Sequence, residues 1–343
     1  MKKWNWSETA LQTIASCPEK FMQQVVLKSV PFMMDDILFK GVLAHTAMEN
    51  FINEPEMELE NHFIEQGLSL ISEEGRELVF NAAMAEKKIL EKFRTGVYKK
   101  RDGSFYTNPQ MTNFWKDEYA DSGLSELDYQ IEQLKPGIVP VEHLKTPLKA
   151  DIDFVAIAKA LIQMGDMAKL AMVTLSHYKE VIAEGWIGPR KYVGMEIPGI
   201  QRLYYGKWDF KGYKKSGKDK GWHIRDFKTG GKLEGIQAKT DNSTQLVSLA
   251  RDCFLKHGEW PSVASLDFLE LGVSCELRLD PQEWLQKWEW FCSIVHRAEK
   301  VSQSIINHDY MPACISGYPA HCTRCALKAD CAAKYKINLG EVA

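Results

Sequence analysis

Apolar residues recur at three- and four-residue steps through residues 7–97. Leu11, Ile14 and Phe21 share one helical face, and 60–97 repeats the spacing with Glu and Lys between the apolar positions. That period predicts amphipathic helices. Residues 98–147 lose it and gather Gly, Pro and polar residues, which predicts an irregular insert or flap. Helical spacing returns over residues 153–185. From Lys191 the texture changes to short segments rich in aromatic and β-branched residues: KYVGMEI, QRLYYGKWDF, GWHIRDFK, SVASLDFLEL and SCELRL. These read as strands. Two helices interrupt or follow them. One starts at DNSTQLVSLARDCFLKHG, with Asn242 or Ser243 as N-cap and Gly258 as the stop. The other starts at LDPQEW, where Asp280 caps, Pro281 takes the first helical position and Glu283 the third. It extends to Asn307 and buries Trp284, Trp288 and Phe291. Helices leading into a mostly sequential sheet, with more helices packed on it, give an α/β architecture. No clean linker divides the chain, so 1–343 reads as one domain. Within it 1–97 is a helical region, 98–190 an insert with helices, 191–308 the core and 309–343 a cysteine-bearing tail.

Composition narrows the class. The 343 residues are 45% hydrophobic and 26% charged, as in a soluble globular protein, and no apolar run approaches a membrane span. MKKWNWSETA lacks the apolar stretch and cleavage site of a secretory signal, so a cytoplasmic location is expected. The net charge of −3 gives no overall basic field, which leaves nucleic-acid binding to local patches. One such patch is KGYKKSGKDK, where Lys211, Lys214, Lys215, Lys218 and Lys220 face a single acid, Asp219. It reads either as a solvated hairpin tip or as a salt-sensitive phosphate contact. Trp115, Trp208 and Trp222 are candidate stacking surfaces for single-stranded bases, or else core residues. Of the eight cysteines, Cys253, Cys275 and Cys292 are scattered among apolar residues and read as core fillers. Cys314, Cys322, Cys325 and Cys331 cluster near the C-terminus. In a reducing compartment such a cluster indicates metal rather than disulfides, either zinc or an iron–sulfur centre.

The segment GWHIRDFKTGG places Asp226 and Lys228 on one face of a strand and Phe227 on the other. Taken alone, the pair is a surface salt bridge. Asp209, in the preceding strand, changes that reading, because two carboxylates on neighbouring strands repel unless they share a cation. Hard oxygen ligands suit Mg²⁺ or Mn²⁺. FKGVLAHTAMENF sets His45 on an amphipathic helix, with Gly41 and Ala44 beside it to allow close approach. Gln245 lies in the first turn of the helix after DFKTGG and can reach back to the same strand.

The ordered set G-x-x-x-H, G-x-x-D, D-x-K-T-G and a helix-initial Gln resembles the RecB-type nucleases of the PD-(D/E)XK superfamily. SETALQTIASCPEKF is similar to that family's N-terminal stretch, and CTRCALKADC to the C-x2-C-x5-C tail of its iron–sulfur subset, the AddB-like and CRISPR-associated exonuclease-like proteins. The matches span 7–331 but rest on few positions. Leu249 stands where the family often has an aromatic residue, and the insert between His45 and Asp209 is long. The resemblance implies a nuclease core, a mixed central sheet flanked by helices. It implies His45, Asp209, Asp226 and the Phe227 carbonyl as ligands of Mg²⁺ or Mn²⁺. Lys228 and Gln245 would be catalytic beside the two aspartates; the contact of Lys211, Lys214, Lys215, Lys218 and Lys220 with DNA rests on their charge and their place beside these strands, not on the resemblance. It implies Cys17, Cys322, Cys325 and Cys331 around a [4Fe–4S] cluster, against which a local zinc site including Cys314 stands as the alternative. The implied activity is metal-dependent exonucleolytic hydrolysis of DNA, on single strands or ends, in recombination, repair or processing. The rival reading is a non-catalytic, nuclease-like DNA-binding scaffold in a larger complex. No G-x-x-x-x-G-K-(S/T) occurs, so any ATP-driven unwinding falls to a helicase or recombination partner.

Overall fold

A computed structural model describes residues 4–29, 33–94, 111–133, 146–171, 175–186, 194–230 and 234–306. A short strand β1 (Trp6–Ser7) leads into α1 (Glu8–Ser16), with the Ser7 hydroxyl accepting from the Ala10 N–H at 3.1 Å as N-cap. Cys17 is extended and ends α1. Its thiol sulfur accepts from Lys20 N–H at 3.4 Å, which starts α2 (Pro18–Phe21), and Pro18 takes the first position. A π-helical turn, Met22–Val26, follows. Then come α3 (Asp36–Asn53), capped by Asp35, α4 (Leu59–Leu68) and α5 (Arg76–Arg94). Helices thus make up most of the described residues between 8 and 94, in line with the helical reading of that region.

Two sequence expectations are corrected. Within 98–147 the described residues form α6 (Met111–Asp121) and α7 (Leu124–Glu132) rather than an unbroken irregular flap. Phe114, Leu124 and Ile131 are buried in the helical core. Their helical spacing spans too few turns to stand out among polar neighbours. Over 153–185, α8 (Phe154–Ala171) gives way to β2 (Tyr178–Trp186). β2 is an edge strand, so it carries Lys179 and Glu180 among its apolar residues and imitates a helical charge pattern.

The remaining elements are β3 (Tyr204–Tyr205), β4 (Lys207–Lys214), β5 (Gly221–Lys228), α9 (Ile236–Asp241), α10 (Thr244–His257), β6 (Val263–Phe268), β7 (Val273–Leu277) and α11 (Pro281–Ile306). Strands β2-β4-β5-β6-β7 form one mixed sheet in that order, with only β5 and β6 parallel. Helices α9 and α10 make the crossover that a parallel pair requires. Ser243 caps α10 by accepting from Leu246 N–H at 3.2 Å, and Gly258 closes it at φ 77°. Asp280 and Glu283 cap α11 reciprocally: Asp280 accepts from Glu283 N–H at 2.8 Å, and Glu283 accepts from Asp280 N–H at 2.9 Å. Trp284, Trp288 and Phe291 are buried as expected.

Tyr178, Phe210 and Phe227 pack with α3, α4, α5 and α8 in one core. Ala264, Leu266 and Phe268 pack with α1, α10 and α11 in another. Every residue of β6 is buried. On the sheet face covered by α8, Arg225 donates to Asp267 at 2.8 Å and to the Ala171 carbonyl at 3.3 Å, with both ion-pair side chains at 1% exposure or less. The α/β class and the flanked mixed sheet are therefore established for the described residues. No described helix is long and apolar enough to cross a membrane.

Candidate active site

In β4 and β5 the antiparallel register pairs Phe210 with Arg225, which places Asp209 and Asp226 opposite each other at the end of the ladder. Period-2 alternation turns both onto the face covered by α10. Asp209 Oδ2 accepts from the Phe227 backbone N–H at 2.7 Å. His45 arrives from the middle of α3: its Nε2 lies 2.9 Å from the Phe227 carbonyl oxygen and 3.4 Å from Asp209 Oδ2. Asp226 is 1% exposed. One of its oxygens accepts from Gln245 Nε2, and the other lies 2.5 Å from Lys228 Nζ. Lys228 Nζ also donates to Gln245 Oε1 at 2.9 Å. His45, Asp209, Asp226, Lys228 and Gln245 thus line one cavity of about 220 Å³. Sequence-distant segments supply them.

Burial, and then the charge of Asp226, push the Asp209 carboxyl up to about 6, against the favourable pull of His45, the Phe227 N–H and Lys228. Burial works against the Lys228 ammonium, but Asp226 outweighs it and holds the pKa above the ordinary lysine value. Lys228 is therefore a hydrogen-bond donor and a counter-charge at neutral pH, not a proton acceptor.

Among the described residues no three His, Cys, Asp or Glu side chains form a ready-made metal cage. The reason is visible in the site: Asp226 is turned onto Lys228 and Gln245. The chemistry of the donors nonetheless fits a hard divalent ion. An octahedral ion with ligands at about 2.1 Å sets neighbouring ligand atoms about 3.0 Å apart. The His45 Nε2 separations from the Phe227 carbonyl and from Asp209, 2.9 and 3.4 Å, bracket that value. Asp226 Oδ2, though beside Lys228, is a buried oxygen that makes no well-angled hydrogen bond. A metal ion bound here would share this oxygen with the Lys228 ammonium or take it over.

Other expectations fare differently. Gly41 is not forced by sterics, since a Cβ there would meet Thr229 Oγ1 at an ordinary 3.4 Å. Lys211 is 2% exposed, with its ammonium over Trp208 and Trp222 at 4.4 and 5.1 Å and 2.9 Å from His257 Nε2. Burial lowers its pKa. It is a core residue, because period 2 puts it on the same α10-covered face as Asp209. Trp208 and Trp222 are buried with it, and Trp115 packs into the helical core, so none of the three offers an open stacking face. Lys214 lies 3.9 Å from Asp219, while Lys215, Lys218 and Lys220 are exposed at the hairpin tip. At about 3.3 Å per residue the tip stands roughly 16 Å or more from Asp209, at the far end of the strands. Cys17, Cys253 and Cys275 are buried and Cys292 is half-buried, all as free thiols. Cys314, Cys322, Cys325 and Cys331 lie outside the described residues.

Ser7, Glu8, Tyr204, Lys207 and Ser248 also line the cavity. The parallel pairing of β1 with β3 brings the N-terminal residues there. The Glu8 carboxylate accepts from Thr244 Oγ1 at 2.7 and 2.9 Å and from the Tyr204 hydroxyl at 3.3 Å, tying α1 to the first turn of α10 beside Gln245. The only sequence signal for Glu8 was its place in the SETALQ stretch. Comparisons with protein-family models, with curated proteins and with solved structures found no match.

Proposed function

We propose that the chain is a Mg²⁺- or Mn²⁺-dependent nuclease that hydrolyses phosphodiester bonds of DNA, single strands or ends first, in recombination, repair or processing. The observation that carries this reading is the convergence of His45, Asp209, Asp226, Lys228, Gln245 and the Phe227 carbonyl on one cavity from α3, β4, β5 and α10. A divalent ion supplies, when bound, Lewis-acid relief of phosphate charge and a lowered pKa for water. His45, Asp209, Asp226 and the Phe227 carbonyl would hold it. Lys228, kept cationic by Asp226, orients the attacking water and offsets negative charge on the pentavalent phosphate. Gln245 holds the Lys228 ammonium and the Asp226 carboxylate in register, donating to one and accepting from the other. The exposed lysines at the β4–β5 tip extend the phosphate path away from the site. Cys17, buried where α1 meets α2, would be the N-terminal ligand of the [4Fe–4S] cluster that the resemblance implies, with Cys322, Cys325 and Cys331 as its other ligands.

The test is cleavage of end-labelled single-stranded and duplex DNA by the purified chain with Mg²⁺, with Mn²⁺ and with EDTA. Metal-dependent cleavage lost in Asp226→Ala is expected. Binding without cleavage under every metal condition would leave the scaffold reading instead.

A further inference from the structure

A second cavity, of about 730 Å³, opens between residues 194–203 and helices α10 and α11. Its size falls within the range of small-ligand sites. Met195, Ile197 and Trp288 give it an apolar wall, and exposed Leu255 forms its lip. Arg251 lines it without a carboxylate partner among the described residues. Its guanidinium lies over the rings of Phe254, Trp260 and Trp288 at 5.2, 5.8 and 5.2 Å. The nearby acid on α10, Asp252, is 3.1 Å from Lys256 and so already has a cation. A stacked, unpaired guanidinium is a planar fork of donors that suits a phosphate.

The cavity neighbours the candidate active site along two shared elements, although no residue lines both. Gln245, Ser248 and Leu249 of α10 line the active site, and Arg251 and Leu255 of the same helix line the cavity. Likewise 204–207 lines the first and 194–203 much of the second. At 1.5 Å rise per residue, Arg251 stands about 9 Å along the helix from Gln245.

We propose that this cavity is a nucleotide subsite, holding one nucleotide of the single DNA strand whose scissile phosphate lies at Asp209 and Asp226. The inference rests on the proposed function for the identity of its ligand. Arg251 takes the nucleotide's phosphate, and the apolar wall takes its base.

The test is binding by the full chain in EDTA, where no cleavage occurs. The probes are a fluorescein-labelled oligodeoxythymidine followed by anisotropy, and thymidine monophosphate followed by quenching of tryptophan fluorescence. Arg251→Gln should weaken the oligonucleotide by about tenfold or more, the scale of one charge-assisted hydrogen bond, and abolish the quench. Leu255→Glu, at an exposed position that leaves the fold intact, should weaken both by placing a like charge at the lip. It carries the test alone if Arg251→Gln does not fold. Normal binding by variants with normal melting curves overturns the subsite. Equal competition by a polyglutamate peptide also overturns it, because the cavity would then be a general anion site. The two proposals fail separately. Arg251-dependent binding with no metal-dependent cleavage keeps the subsite and sinks the nuclease. Asp226-dependent cleavage with both cavity variants binding normally does the reverse.

Discussion

Asp226 and Lys228 leave one strand face together, yet they should fail differently when removed. On the proposed metal-dependent reading Asp226→Ala removes a ligand, so the rise in melting temperature on adding Mn²⁺ should shrink or vanish with the activity. Lys228→Ala leaves the carboxylates in place, so that rise should persist while turnover falls by about 10²–10³-fold. Normal turnover by Lys228→Ala would reduce the pair to a salt bridge. His45→Ala should lower activity and erode a preference for Mn²⁺ over Mg²⁺, since imidazole is the softest of these ligands; metal titrations compare the two. Asp209 adds a pH dependence in the metal-free protein. Its carboxyl is raised from 3.8 to about 6, so the folded state binds the proton more tightly than the unfolded chain. Its contribution to stability is present below pH 4 and is lost as pH rises through 6. Urea midpoints of wild type and Asp209→Asn, measured in EDTA from pH 4 to 7, should therefore diverge as pH rises, with the variant keeping its stability. Parallel curves would place the titration elsewhere.

At the scale of elements, the parts of the chain that obey a local rule were the legible ones. Ser243 and Gly258 bound α10, and Asp280 and Glu283 start α11, because caps are short-range chemistry. Alternation in GWHIRDFK was equally readable, since a strand has only two faces. The same rule, applied to β4, would have put Lys211 on the covered face with Asp209; the lysine run around it suggested a solvated role instead. β2 escaped because a sheet edge admits charge, and α6 and α7 because each has too few turns to show a period. Cross-strand partners are not local at all. Arg225 shares the Phe227 face of its strand, and only the placement of β6 beside β5 gives it Asp267. Asp267→Ala would leave that guanidinium buried without its main counter-charge. It should cost about 3–5 kcal/mol of stability, read as a lower denaturant midpoint. A change under about 1 kcal/mol would mean that Glu276, 3.8 Å away, suffices for the arginine.

For the whole molecule the question is what holds the N-terminal helices against the sheet that carries the site. The interior already supplies part of the answer. Trp6 donates to Glu299 of α11 at 2.9 Å, β1 pairs with β3, and Glu8 accepts from Thr244 at the start of α10. Cys17 sits at the end of α1, buried, its thiol sulfur accepting the Lys20 N–H in the first turn of α2. If it shares a [4Fe–4S] cluster with Cys322, Cys325 and Cys331, ligands from both ends of the chain close nearly the whole sequence into one loop. Loop-closure entropy makes such a tie stabilising, and the binding free energy of the cluster becomes folding free energy. The protein purified without oxygen should then be brown, with a broad absorption shoulder at the blue end of the visible. Cys17→Ser should bleach it and lower the melting temperature. Because α1 also carries Glu8 to the first turn of α10, that variant should lose activity even though Cys17 touches no reacting atom. Cys314→Ser should change neither colour nor stability. A colourless protein holding one zinc, indifferent to Cys17→Ser and destabilised by Cys314→Ser, would place the metal wholly in the tail and leave α1 held by its core packing, Glu8, Trp6 and the β1–β3 pairing.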